Sequence, residues 1–128
     1  METIKNLVGY QLISIDASHI VVKKGDKHYV LEIEDDYGGC CGFNNINTQL
    51  LISAEELNRN PIITNVTMEN EDSDEYYSGD AMKVTFFGEA KPIAELYSFS
   101  YSGSGWGYGA CVTIKCKALK LEEVITSW

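Results

Sequence analysis

Basic charge is what this sequence has least of. Ten lysines and arginines stand against nineteen aspartates and glutamates, which leaves a net charge of −9 and a single arginine, Arg59. Neutralising a phosphate backbone takes clustered Lys and Arg, so nucleic acid is not an expected partner. Long apolar runs are missing too, and the roughly 20 apolar residues that span a bilayer as a helix are found nowhere. Met1-Glu2-Thr3-Ile4-Lys5 carries neither the basic segment nor the apolar core of a secretory signal. The expectation is a cytoplasmic protein with no membrane partner.

Catalytic raw material is equally sparse. Histidine occurs only as His19 and His28. The four cysteines, Cys40, Cys41, Cys111 and Cys116, form an even set, but their spacing suits neither of its usual uses. Adjacent Cys40 and Cys41 bond to each other only with backbone strain, and Cys111/Cys116 lacks the two-residue gap of a zinc knuckle. Asp35 and Asp36 precede the pair and disfavour a thiolate, the wrong direction for a cysteine nucleophile. Free thiols in a reducing compartment are expected, with no metal and no cofactor. The glycine-rich run Ser102–Gly109 fails the patterns of the phosphate and dinucleotide loops, because strand-like sequence lies on both sides of it. No enzyme is expected.

What is present reads as β structure. A chain of 128 residues fits one domain, 1–128, and can bury roughly two-thirds of the surface its unfolded form exposes. Residues 9–15, 19–24 and 27–34 alternate in polarity or are rich in β-branched side chains, with turn signals at Asp16-Ala17-Ser18 and Gly25-Asp26, so they predict an antiparallel meander. Ser53-Ala54-Glu55-Glu56 is the one good helix start, and Pro61 soon ends that helix. Strand composition returns at 62–68, 82–87 and 93–101. Residues 110–117 are expected to pair back on 93–101 as a long hairpin with Trp106 and Tyr108 at its tip. The acidic segment 69–80 is expected to be a solvated loop. The tail from Leu119 reads as a final edge strand, with a short helix as the alternative. Exposed edges at the first and last strands would allow a homo-oligomer.

The whole predicts a mainly β fold, a bent antiparallel sheet or small β-sandwich of seven to eight strands with one short helix. One stretch interrupts it, Asp35-Asp36-Tyr37-Gly38-Gly39-Cys40-Cys41-Gly42-Phe43-Asn44-Asn45. Two acids, three glycines and paired cysteines suit neither a helix nor a central strand, so a shaped loop is expected there. Glycine-shaped loops on a rigid scaffold are where function concentrates. The candidate binding residues are Asp35, Asp36, Tyr37, Cys40, Cys41 and Phe43, together with Trp106 and Tyr108, whose rings can stack on a base or a protein side chain.

On these residues the chain resembles a family of small bacteriophage and prophage proteins with a double-cysteine loop and no assigned activity. The points of likeness are Leu7-Val8-Gly9 leading into a strand, a meander of short strands, an acidic segment closed by Cys40-Cys41, and a late strand pair around an aromatic, glycine-rich turn. Gly42 departs from the serine common after the cysteines, and the turn at Gly103–Gly109 is longer. The resemblance implies phage origin and a β-rich fold. With the acidic surface and the absence of catalytic motifs, the expectation is a non-enzymatic accessory protein acting in the host cytoplasm, binding and inhibiting a host or anti-phage defence protein. The alternatives are a protein that sequesters a small nucleotide signal and a structural or assembly protein of the virion.

Overall fold

In the computed structural model, residues 3–37, 42–71, 79–102 and 109–128 are described. The expected meander is present as β1 (Gln11–Ile15), β2 (His19–Lys24) and β3 (Lys27–Tyr37), paired antiparallel. Its first turn is held by the Asp16 carboxylate, which accepts from the Ser18 and His19 amides at 2.7 and 2.8 Å. Its second turn needs Gly25, which sits at φ +63°. Leu31 and Ile33 of β3 are buried, whereas His28, Val30, Glu32 and Glu34 are exposed, as the alternation requires.

The remaining strands are β4 (Gly42–Leu50), β5 (Asn65–Asn70), β6 (Asp80–Gly88), β7 (Lys91–Ser102), β8 (Ala110–Cys116) and β9 (Leu121–Ser127), with one short helix, α1 (Ala54–Asn58). They form two antiparallel sheets, ordered β1-β2-β3-β8-β9 and β4-β7-β6-β5. The mainly β fold expected of the sequence is therefore found, in the sandwich form of the two alternatives, with nine strands among the described residues instead of seven or eight. The additional strand comes from the stretch read as a loop. Asp35, Asp36 and Tyr37 continue β3 opposite Val112, Cys111 and Ala110, and Phe43, Asn44 and Asn45 open β4. Poor intrinsic β-propensity yields there to ladder pairing with one neighbour, β8 for the end of β3 and β7 for the start of β4. Of the acidic segment expected to be a loop, Glu69 and Asn70 belong to β5 and Asp80 to β6, and residues 72–78 lie outside the described residues.

The expected hairpin between residues 93–101 and 110–117 does not form. β7 pairs with β4 and β6, whereas β8 pairs with β3 and β9 in the other sheet. A glycine-rich sequence reads the same whether the strands on either side of it are neighbours in one sheet or belong to different sheets. Here each strand has a neighbour on both sides within its own sheet.

The core lies between the sheets. Leu12, Ile20, Val22, Leu31, Val112, Ile114 and Leu121 meet Val66, Val84, Phe86, Ile93 and Leu96, all nearly inaccessible to solvent. Ile4 and Leu7, on a 3-10 turn before β1, join them with Ile63. The chain around Ile63 also covers the outer edge of β1. Leu12 N donates to Pro61 O at 2.9 Å, and Ile63 N donates to Tyr10 O at 2.8 Å. The first strand thus lacks the open edge expected of it.

β9 carries one irregularity that matters below. Its pairing passes from Val112↔Thr126 to Thr113↔Val124, leaving Ile125 as the extra residue of a bulge. Consecutive Ile125 and Thr126 are consequently both buried, which regular alternation forbids.

Candidate functional site: the loop-bearing end of the sandwich

Three chain connections share one end of the molecule. β3 finishes at Tyr37 and β4 begins at Gly42; β5 finishes at Asn70 and β6 begins at Asp80; β7 finishes at Ser102 and β8 begins at Ala110. Register joins these ends. Gly42 lies opposite Ser102, Asp80 opposite Ser100, and Tyr37 opposite Ala110, which exchanges backbone hydrogen bonds with Trp128.

The structure therefore gathers Asp35, Asp36, Tyr37 and Phe43 at this end, as candidates drawn from one stretch should be. It also brings together the flanks of the double-cysteine segment and of the glycine–aromatic segment, which are far apart in sequence. Cys40, Cys41, Trp106 and Tyr108 themselves lie outside the described residues.

The end is braced by polar side chains reaching across the sandwich. The Thr126 hydroxyl meets Ser98 Oγ at 2.6 Å and Ser100 Oγ at 2.7 Å. Ser100 donates to Asn44 Oδ1 at 2.6 Å. Asn44 Nδ2 donates to Asp35 Oδ1 at 2.8 Å, to Asp36 O at 3.0 Å and to Cys111 O at 3.1 Å. Five strands are thereby joined by one connected network, and no buried side-chain polar atom among the described residues lacks a partner. Such a network specifies a single arrangement, since breaking one link leaves a buried polar group unsatisfied. A further link runs from Ser127 N to Asp80 Oδ2 at 2.9 Å.

Around this braced end the aromatic side chains are unusually open. Tyr37 is 58% exposed, Trp128 50% and Phe43 41%. Phe43 packs on Tyr101 and Phe99, with ring centroids 5.1 and 6.0 Å away. Trp128 and Asp36 border a shallow depression that also includes Ala110 and Cys111.

Among the described residues no three His, Cys, Asp or Glu side chains are grouped to hold a metal ion. His28 lies at the start of β3, nine residues from Tyr37 and so about 30 Å along an extended strand. The Cys111 side chain is half-buried and that of Cys116 buried, and they occupy opposite faces of β8.

Sequence reasoning missed Asn44, Ser98, Ser100, Thr126 and Trp128. The alternation of Ser98 and Ser100 with Tyr97, Phe99 and Tyr101 is legible, but it says nothing of which face is inside. The small face turns out to be the interior one. Comparison with models of protein families, with curated proteins and with solved structures finds no match for this chain.

Proposed function

We propose that this chain is a non-enzymatic binding protein of bacteriophage origin that grips a host or anti-phage defence protein with the loop-bearing end and blocks it. One observation carries the reading: Tyr37, Phe43 and Trp128 are held largely open to solvent on an end fixed by a satisfied polar network. Exposed aromatics on a rigid frame are the side chains that dominate protein–protein binding energy, because they bury much area and lose little conformational entropy. The net charge of −9 favours a partner with a basic patch and speeds their encounter. Phage origin rests on the family resemblance, and action in the host cytoplasm follows from it.

The test is affinity capture from bacterial extract with the wild-type chain and with a Tyr37→Ala/Phe43→Ala/Trp128→Ala variant. One protein retained by the first and lost by the second supports the reading. Equal retention by both removes it.

A second reading, uptake of a small anionic molecule such as a nucleotide, is favoured by a different feature. A cavity of about 450 Å³ includes Gln11, Thr64 and the sole arginine, Arg59, which has no ion pair among the described residues, while Lys91 in the same lining is paired with Glu56, and Glu89 also borders it. A nucleotide that raises the melting temperature of the wild type but not of an Arg59→Ala variant would favour this reading.

A further inference from the structure

Among the described residues, β4 is the one sheet edge with neither a covering segment nor a charged side chain. The edge of β1 is covered by Pro61–Ile63. On β9 the Ser127 amide is taken by Asp80, and Glu123 reaches out to the Ile4 amide. On β5 the Val66 amide is taken by the Asn65 side chain, and Glu69 adds charge. β4 runs nine residues as Gly-Phe-Asn-Asn-Ile-Asn-Thr-Gln-Leu. It has no bulge in its register with β7, no proline, and not one charged side chain in a protein with 29 of them. Soluble proteins protect open edges with charge, proline or bulges, and β4 has none of these devices.

The geometry of the edge is regular. Leu51 N donates to Ile93 O, one step beyond the pair Leu50↔Ala94. Antiparallel alternation then directs the backbone groups of Asn45, Asn47 and Gln49 toward β7, and those of Asn44, Ile46 and Thr48 toward the open edge. No backbone hydrogen bond from another described residue reaches those outward groups.

We infer that β4 pairs antiparallel with β4 of a second copy of this chain about a two-fold axis at Ile46. Ile46 then exchanges both backbone hydrogen bonds with Ile46 of the second copy, and Asn44 does so with Thr48 in both directions. On the solvent face Asn45 meets Asn47 of the second copy, and Phe43 meets Gln49. Every rung is uncharged or amide against amide. A second copy is the occupant this strip fits, because two bodies of charge −9 repel each other over most of their surface and approach with least opposition where charge is missing. The pairing extends each four-stranded sheet into one of eight.

Sedimentation velocity on the full chain tests this, with substitutions that read the register. The wild type is expected to sediment as a dimer that dissociates on dilution. Asn45→Lys/Asn47→Lys places like charges opposite each other on both sides of the axis and should weaken self-association on the order of tenfold or more. Asn45→Lys/Asn47→Glu places opposite charges on the same rungs and should restore it. A wild type that stays monomeric up to millimolar concentration overturns the inference. So does a double-lysine variant that dimerises as tightly as wild type, or a charge-paired variant that dimerises no better than the double-lysine one. Amide exchange on the wild type gives a second reading independent of any variant. Exchange at Ile46 and Thr48 should slow as concentration rises, and concentration-independent exchange there also overturns the inference.

Discussion

Ser98 of β7 and Thr126 of β9 face each other across the sandwich with their hydroxyl oxygens 2.6 Å apart, and both residues are fully buried. The contact joins the centre of one sheet to the edge of the other, and it exists because the bulge at Ile125 turns Thr126 inward. Replacing Thr126 with valine keeps the shape and removes the hydroxyl, which strands Ser98. A loss of about 1–3 kcal/mol is expected by urea unfolding. The triple change Ser98→Ala/Ser100→Ala/Thr126→Val should cost less than the sum of the single changes, since stranded partners are removed together.

Asn44 is the hub that connects this contact to the loop-bearing end. In an Asn44→Asp variant the carboxylate of Asp35 would face a second carboxylate where it now accepts an amide hydrogen at 2.8 Å. Destabilisation of about 1–3 kcal/mol is expected at neutral pH. It should shrink on acidification, because sharing one proton between the two carboxyls removes the repulsion. Thermal melts of wild type and variant across pH 4–8 check this, and a difference that does not change with pH contradicts the assigned contact.

The turn between β6 and β7 stores strain that substitution should release. Glu89 and Ala90 sit at φ +51° and +66° between the paired ends Gly88 and Lys91. Two-residue hairpin turns of this kind favour Asn-Gly, since left-handed backbone is costly for other residues. Glu89→Asn/Ala90→Gly should stabilise the fold by about 1 kcal/mol, read as an upward shift in the urea midpoint. At Gly79 the opposite holds. A β-carbon there would come within 2.6 Å of Ser100 O and 2.7 Å of the Phe99 ring, so Gly79→Ala should destabilise by about 1–3 kcal/mol.

Two carboxylates should titrate low. Glu56 is held below its ordinary value of 4.5 first by a hydrogen bond from Lys91. Asp16 is held below 3.8 by the Ser18 and His19 amides. Each group is more acidic folded than unfolded. Its contribution to stability is therefore complete above the unfolded pKa and fades as pH falls through the folded one, in the range below about 4.5 for Glu56. Carboxyl NMR should show Glu56 returning to its ordinary range in a Lys91→Met variant while Asp16 stays low.

Much of the architecture was legible before any coordinate. The meander follows from alternation at 27–34 and from Gly25, the helix start from Ser53, whose Oγ accepts the Glu56 amide at 3.2 Å, and the edge position of the tail from its pattern. What escaped was long-range pairing. Nothing local distinguishes a β7–β8 hairpin from a crossing between sheets, and Asp35–Tyr37 become strand only because β8 lies beside them. The site was half legible for the same reason. Tyr37 and Phe43 stand out in the sequence, whereas Asn44 and Thr126 acquire their roles from a partner on another strand, Ser100, which is 56 residues from Asn44 and 26 from Thr126.

The braced, aromatic-rimmed end is the surface proposed to grip a partner. The direct measurement is calorimetric titration of a captured partner into wild type, into Tyr37→Ala/Phe43→Ala/Trp128→Ala, and into Val30→Ser/Val124→Ser, which alters exposed apolar residues elsewhere. Affinity reduced at least about 100-fold in the first variant, about 3 kcal/mol, and unchanged in the second is the predicted result. Equal affinity for wild type and the aromatic variant, with both folded, would contradict it.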